Sequence, residues 1–451
     1  MKHIGKKLHI FICLLVLFAA LCLTGCLRVA ADDLYSLPQM SEQYLRLKEQ
    51  IDSVLNQGAE YSPPTGGSNR QSVQLKDLDG DGVSEAVVFF SFPAESTLKI
   101  YIFKIVEDDY AVADIIEGSG ASFESIRYED MNGDGVMELI VGWQMSATLK
   151  YFAIYSIMDF HNALLAMGEY SELTVFDING DGKMDVVALR LPSQEAGAVA
   201  QMLALMEDGE IVSEEARLSG GIEAIVRILT GKLTDGVPAI FVESEGKYDE
   251  GSLVTDICAF REGSFTNITL ISLSGISEET VRERTVYSAD IDFSGFIKVP
   301  KPRMLKAQSE TAYYAIDWYT FRSSGSSYLA LTTYHNNSDE WYLILPFDWR
   351  GKVSVKREGI VSGERTVIFS YIAEEGDTEE YIDFLKIYKS YGDIGAERAK
   401  LPERILLMTE GTSTYAFELL VPPNSFGLSF DETLIRENFR LIYSDRLAGT
   451  G

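Results

Sequence analysis

Three stretches of the chain concentrate oxygen donors at a fixed spacing. They are Asp77-Leu78-Asp79-Gly80-Asp81-Gly82-Val83-Ser84-Glu85, Asp130-Met131-Asn132-Gly133-Asp134-Gly135-Val136-Met137-Glu138 and Asp177-Ile178-Asn179-Gly180-Asp181-Gly182-Lys183-Met184-Asp185. Each offers side-chain oxygens at positions 1, 3 and 5, a backbone carbonyl at 7 and a carboxylate at 9, and Gly at 6 permits a sharp turn. Such a set can wrap one hard cation. Ca²⁺ takes about six to eight oxygens, whereas Mg²⁺ demands a tighter octahedron and keeps its waters, so Ca²⁺ is the better match. Without His or Cys in the set, soft metals are disfavoured. A plain Asp-Gly hairpin turn is the simpler use of this dipeptide. A turn, however, has no need for three or four acids within nine residues, which repel one another unless a cation is present.

An EF-hand loop would need an acid at position 12 and a helix after it. Position 12 is Val88, Val141 or Ala188, and each loop runs into a short apolar stretch rich in Val and aromatics that reads as a strand. The copies recur roughly every 50 residues, the signature of a repeat architecture. A decayed copy, Asp290-Ile291-Asp292-Phe293-Ser294-Gly295-Phe296, lies about two periods further on, with Ser294 at position 5 and Lys298 at position 9. A lysine in the shell repels a cation, so this loop is expected not to load. Between them, Gly231 to Val242 keeps the Asp235-Gly236 turn and an apolar strand but has lost most acids, and it is expected to bind nothing.

The pattern resembles the FG-GAP/VCBS repeats, the calcium-loop blades of integrin α-type β-propellers. The likeness spans roughly Ser72 to Pro302 and is specific because the motif repeats. In that family each blade is a four-stranded antiparallel sheet, with the Ca²⁺ loop joining its first two strands. The resemblance implies structural Ca²⁺ at about three sites. Its ligands would be Asp77, Asp79, Asp81 and Glu85; Asp130, Asn132, Asp134 and Glu138; Asp177, Asn179, Asp181 and Asp185, with the carbonyls of Val83, Val136 and Lys183. A propeller hides its sheet edges by closing, and five to seven blades, centred on six, are expected over residues 70–350.

The N-terminus supplies an address. Lys2, Lys6 and Lys7 precede an uncharged apolar run from Ile10 to Leu23, which ends in Leu23-Thr24-Gly25-Cys26. This reads as an export signal over residues 1–25. Leu-Thr-Gly-Cys is similar to a bacterial lipobox, which implies cleavage before Cys26 and a diacylglycerol on its sulfur. An uncleaved anchor is the alternative, although the run is short for a span; both export the chain to the outer face of the membrane. Cys13 and Cys22 leave with the signal, so Cys258 is the remaining thiol and no internal disulfide is available. It lies in a strand-like run and reads as a small buried apolar residue. The net charge of −29, from 39 Lys+Arg against 68 Asp+Glu, argues against nucleic acid as a partner.

Residues 26–69 read as a tether followed by a helix from Ser41 to Gln57, with Tyr44, Leu47, Ile51, Val54 and Leu55 near one face. Residues 351–451 read as a small α+β domain, with strands at 353–356, 366–372, 404–409 and 414–421 and helices near Thr378 to Ser390 and Glu432 to Phe439. Between these regions, aromatic strands from Ala312 to Pro346 read as a last blade or a closing half-blade.

Catalytic signatures are sparse. His161 and His335 both read as surface residues in turns. There is no Gly-x-Ser-x-Gly elbow, His-Glu-x-x-His, P-loop or Gly-x-Gly-x-x-Gly. Trp143, Trp318, Trp341 and Trp349 read as packing residues rather than a sugar platform. The expectation is a non-enzymatic lipoprotein, tethered through Cys26, whose propeller presents a face to a protein or glycan. The alternative is a hydrolase of cell-wall or dietary polysaccharide that uses a carboxylate pair.

Overall fold

The apolar runs that follow the acid loops are buried on both faces. Glu85–Phe92, Glu138–Gln144, Asp185–Arg190 and Pro238–Gly246 each form the inner strand of a sheet. Alternate residues of a strand point to opposite faces, so each of these strands feeds two different cores. Val87 and Phe89 pack with Leu139, Val141 and Trp143 of the next sheet. Ile140 packs with Val186 and Ala188, Val187 and Leu189 with Ile240 and Val242, and Ala239 and Phe241 with Val299 and Phe321. A strand sandwiched in this way needs a continuous apolar run rather than alternation.

The computed structural model describes residues 42–246, 252–283, 286–306, 311–361, 363–375 and 378–442. The signal, Cys26 and Ser41, where the expected helix starts, lie outside these residues. The chain is mainly β, and its described residues form six antiparallel sheets. In the first, Glu60–Tyr61 and Val73–Lys76 pair in succession along Glu85–Phe92, followed by Thr97–Val106 and Asp109–Gly118. The second is Ser122–Glu129, Glu138–Gln144, Lys150–Ser156 and Ala163–Tyr170; the third is Glu172–Phe176, Asp185–Arg190, Val199–Leu205 and Ile211–Arg217. The fourth comprises Ile222–Lys232, Pro238–Gly246, Leu253–Arg261 and Ser264–Asn267. The fifth runs Val299–Met304, Tyr314–Phe321, Ser327–Asn336 and Trp341–Leu345, and Phe439–Leu441 returns from the chain end to extend it.

The sixth sheet has the order Val353–Val361, Glu364–Glu375, Thr378–Tyr391, Ser413–Leu419, Ile405–Glu410. Its residues Val355, Phe369 and Phe417 share one core with Ala315, Tyr334 and Trp341 of the fifth sheet. Helix α1 (Glu42–Leu55) lays Leu47, Ile51 and Val54 on the outer face of the first sheet, against Ala86, Val88 and Phe90. The sheets therefore stack in chain order, with a helix on the first outer face. Among the described residues no hydrophobic cluster joins the first sheet to the sixth. No helix among the described residues is long and apolar enough to cross a membrane.

Two sequence expectations are overturned. Thr378–Tyr391 is a strand and not a helix. The register shifts where Phe369 pairs with Leu385 and Ser370 with Asp383, which leaves Phe384 as an extra, bulged residue. Phe384 and Leu385 are both fully buried, and the bulge gives Tyr381, Phe384, Leu385 and Tyr388 the spacing of a helix face. His335 belongs to the strand Ser327–Asn336 rather than to the turn after it. Its ring stacks on Tyr342 at 5.1 Å and lies 6.1 Å from Trp318, and its Nε2 is buried without a partner. His161 is exposed, as expected, beside the turn at Met158–Phe160. The four tryptophans are buried core residues, and Cys258 is buried in its strand.

Burial pushes the His335 imidazole down to about 4. The folded chain then refuses a proton that the unfolded chain accepts below about pH 6.5, so stability is lost as pH falls from about 6.5 to about 4. The full effect is about 3 kcal/mol, at about 1.4 kcal/mol per tenfold change in proton affinity. Urea midpoints at pH 7 and pH 4.5 should fall further for the native chain than for His335→Phe. Equal falls would remove His335 as a source of acid sensitivity.

Candidate metal-binding loops

The three acid loops occupy equivalent places, each between an edge strand and the inner strand that pairs with it. Residues 77–85 connect Val73–Lys76 to Glu85–Phe92, residues 130–138 connect Ser122–Glu129 to Glu138–Gln144, and residues 177–185 connect Glu172–Phe176 to Asp185–Arg190. Position 9 is the first residue of the inner strand and is buried: Glu85 is 0% exposed, Glu138 1% and Asp185 2%. One of its oxygens accepts the position-2 N–H, from Leu78 at 2.9 Å, Met131 at 3.0 Å and Ile178 at 3.0 Å. The position-2 side chains are themselves buried apolar anchors. Position 2 was missed as an anchor in the sequence, although the signal was there: the three acid loops and the decayed one carry Leu78, Met131, Ile178 and Ile291 at this place, and of the five copies the one at Gly231, with Lys232, departs from it.

The remaining ligand positions are held by the loop backbone. Asp130 accepts N–H bonds from Gly133, Asp134 and Gly135, and Asp177 accepts them from Gly180, Asp181 and Gly182. Asp81, Asp134 and Asp181 each accept the N–H of position 7, from Val83, Val136 and Lys183. Asn132 and Asn179 accept the N–H of position 5 and donate an amide hydrogen to its carboxylate. Positions 4 and 6 are glycines at positive φ in all three loops, between 72° and 89°, which is the region that glycine enters without a steric penalty.

Burial pushes the Glu138 carboxyl up to about 7 and the Asp185 carboxyl up to about 6, partly offset by the backbone N–H bonds each accepts and reinforced by neighbouring acids of the same loop. Glu85 is raised for the same leading reason. Charge on these groups is thus penalised unless a cation arrives. Asp77, Asp79 and Glu85 bring carboxylate oxygens within 4.8 Å of one another, the one such set of three acids among the described residues. Asp77 Oδ1 and Glu85 Oε1 are buried there without a hydrogen-bond partner. The donor set fits a hard cation, since it consists of oxygens only. The first loop also receives a group that no local pattern announced. Lys104, on the strand Thr97–Val106, donates to Asp79 and, at 3.3 Å, to Asp81.

The loops form a row along one edge of the stacked sheets. A Cβ on Gly80 would lie 2.6 Å from the Gly135 carbonyl oxygen, and Met137 donates its N–H to Leu78 O at 2.8 Å. Gly133 backs onto the Lys183 side chain, and Gly180 onto the Pro238 ring beside the Asp235-Gly236 turn. Gly231 in turn abuts Ile297 of the decayed copy. Each loop therefore touches the next.

Away from this row, a cavity of about 540 Å³ opens where the end of the first sheet meets the second, lined by Trp143, Met145, Tyr151, Tyr155 and Met167, with Glu117 as its acid. No protein-family model matches the chain, and neither does any curated protein.

Proposed function

We propose that this protein is an exported lipoprotein, held to the outer face of the membrane through Cys26, whose propeller-type blades form a non-enzymatic platform for a protein or glycan. Ca²⁺ is structural in this reading. It would be held by Asp77, Asp79, Asp81 and Glu85, by Asp130, Asn132, Asp134 and Glu138, and by Asp177, Asn179, Asp181 and Asp185, and it would neutralise a row of acids that otherwise repel. The observation that carries the reading is the row itself: three equivalent loops, each with a buried position-9 acid, in contact along one edge. Ordering the row would fix the surface it borders, so partner binding should depend on Ca²⁺ through loop order. In this reading the first five sheets are the blades, the sixth belongs to the C-terminal region at 351–451, and the helix on the first outer face acts as the cap that a stacked array needs.

The test is affinity capture with the chain from Leu27 onward immobilised, exposed to envelope extract and a glycan panel with millimolar Ca²⁺ or with chelator. A partner retained with Ca²⁺ and lost in chelator is expected. A folded protein that captures nothing in either arm would overturn the platform reading.

A further inference from the structure

The decayed loop at 290–298 keeps the shape of the others after losing the acid that closes them. Asp290 accepts the N–H groups of Ser294 at 2.9 Å and Gly295 at 2.7 Å, as position 1 does in the intact loops. Gly295 holds position 6 at φ 86°. Position 4 is Phe293, with φ 59° and the residue as a whole 61% exposed. A non-glycine residue in the left-handed region is strained, by about 1 kcal/mol, and an exposed phenyl ring returns little. Something else must hold this loop.

That group is Lys298. Its side chain is 4% exposed. Its Nζ lies 2.5 Å from Asp292 Oδ1, 2.7 Å from Ser294 Oγ, 3.1 Å from Phe296 O and 3.6 Å from Asp290 Oδ1. In loop numbering these are positions 3, 5, 7 and 1, the oxygens that in the other copies would face an ion. The lysine comes from position 9, where the others place a buried carboxylate. We propose that the Lys298 ammonium is the resident cation of this loop, a covalently tethered replacement for Ca²⁺ that keeps the end of the row ordered when the ion is absent.

The chemistry supports the substitution. An ammonium is a compact positive charge with three donors, and here it meets three oxygens at hydrogen-bond distance with a second carboxylate beside it. The intact loops carry three or four acids and the decayed loop two, Asp290 and Asp292, so a single positive charge neutralises a larger share of it. Lys104 is a useful contrast. It reaches the first loop from a neighbouring strand, touches positions 3 and 5, and is 26% exposed. That lysine can swing away when an ion enters, whereas Lys298 is enclosed by the loop that it fills.

The inference rests on the metal reading of the intact loops for the role of position 9, and its test separates the two. Three forms of the whole exported chain are compared: native, Lys298→Met and Lys298→Asp. Melting temperature is followed in chelator and in roughly 10 mM Ca²⁺, well above the dissociation constants of about 10⁻⁴ to 10⁻³ M found for extracellular modules, and bound Ca²⁺ is counted by equilibrium dialysis. Lys298→Met is expected to melt below the native chain in both conditions, by a similar amount in each. Lys298→Asp restores the position-9 acid; it should melt low in chelator, recover in Ca²⁺, and bind one more ion per chain than the native protein. If Lys298→Met melts like the native chain, or if Lys298→Asp gains no ion and responds to Ca²⁺ no more than Lys298→Met, the proposal is overturned. A native chain that binds no Ca²⁺ would instead remove the metal reading of the intact loops, while the chelator melts of Lys298→Met would still judge the ammonium.

Discussion

Truncating Asp134 to alanine is expected to lower the melting temperature in roughly 10 mM Ca²⁺, about 10 to 100 times the dissociation constants of extracellular modules, and to change it little in chelator. Asp134 sits at position 5 of the second loop; Lys183 packs against the neighbouring Gly133 but directs its ammonium to Glu207 at 3.1 Å, and no lysine pairs with Asp134 among the described contacts, so an ion would be its main counter-charge. Without metal, its oxygens are engaged by the Val136 N–H and the Asn132 amide, both solvent-exposed. Exposed hydrogen bonds of this kind contribute on the order of 1 kcal/mol or less, and removing one of several crowded acids relieves repulsion that offsets the loss. With metal, the site contributes through mass action. At roughly 10 to 100 times the dissociation constant, one loop adds about 1.4 to 2.7 kcal/mol. Asp81→Ala should behave differently, because Lys104 already pairs with Asp81; part of its loss should persist in chelator. An equal loss in both conditions for Asp134→Ala would remove the metal role of the second loop.

The contrast between the second and first loops marks what a sequence can and cannot carry. The nine-residue spacing, the glycines at positions 4 and 6 and the apolar run that follows are local, and each has a local cause: a turn, a positive φ, a strand buried on both faces. From these features a turn followed by a strand was legible; the antiparallel sheets with the loops between their first two strands were what the resemblance implied. Lys104 lies 25 residues from Asp79, and nothing in its neighbourhood links it to an acid loop; only the pairing of Thr97–Val106 with Glu85–Phe92 brings it there. Lys298 was legible as a misfit that keeps a cation out of its loop; that its ammonium reaches back to Asp292, Ser294 and the Phe296 carbonyl was not, because spacing alone does not say which way a long side chain turns.

The C-terminal region shows the same limit from another side. A bulge at Phe384 imposes helical spacing on a strand, and periodicity alone cannot distinguish an interrupted alternation from a short helix. The return of Phe439–Leu441 to the fifth sheet has no sequence signature, because three residues are too few to carry a pattern. The helix that precedes it was legible: Asp431 caps Glu432–Asn438 by accepting the Leu434 N–H at 2.8 Å, the residue type and spacing that start helices.

Replacing Arg282 by methionine is expected to cost about 3 to 5 kcal/mol, the range for removing one partner of a buried ion pair. The connection between the fourth and fifth sheets is long, and it is pinned to the fourth sheet by polar groups rather than by a strand. Arg282 Nη2 donates to Glu243 Oε1 at 2.6 Å, and the two side chains are 1% and 0% exposed. Arg282 also donates to Val286 O, Thr255 Oγ1 and Thr280 O, so its guanidinium is well satisfied. Glu243 is less so: the Ser288 N–H shares its Oε1, while Oε2 has no hydrogen bond and sees Arg227 only at 4.0 Å. Removing Arg282 leaves that carboxylate buried with a distant counter-charge, and the penalty comes from this orphaned charge more than from the lost attraction. The double variant Glu243→Leu/Arg282→Met removes both charges and fills the space with apolar volume, and it should recover most of the loss. Denaturant midpoints of the native chain, the single variant and the double variant decide the matter. A double variant as unstable as the single one would show that Arg282 acts through its bonds to Val286, Thr255 and Thr280, as a strap on the connection, and not as the counter-ion of Glu243.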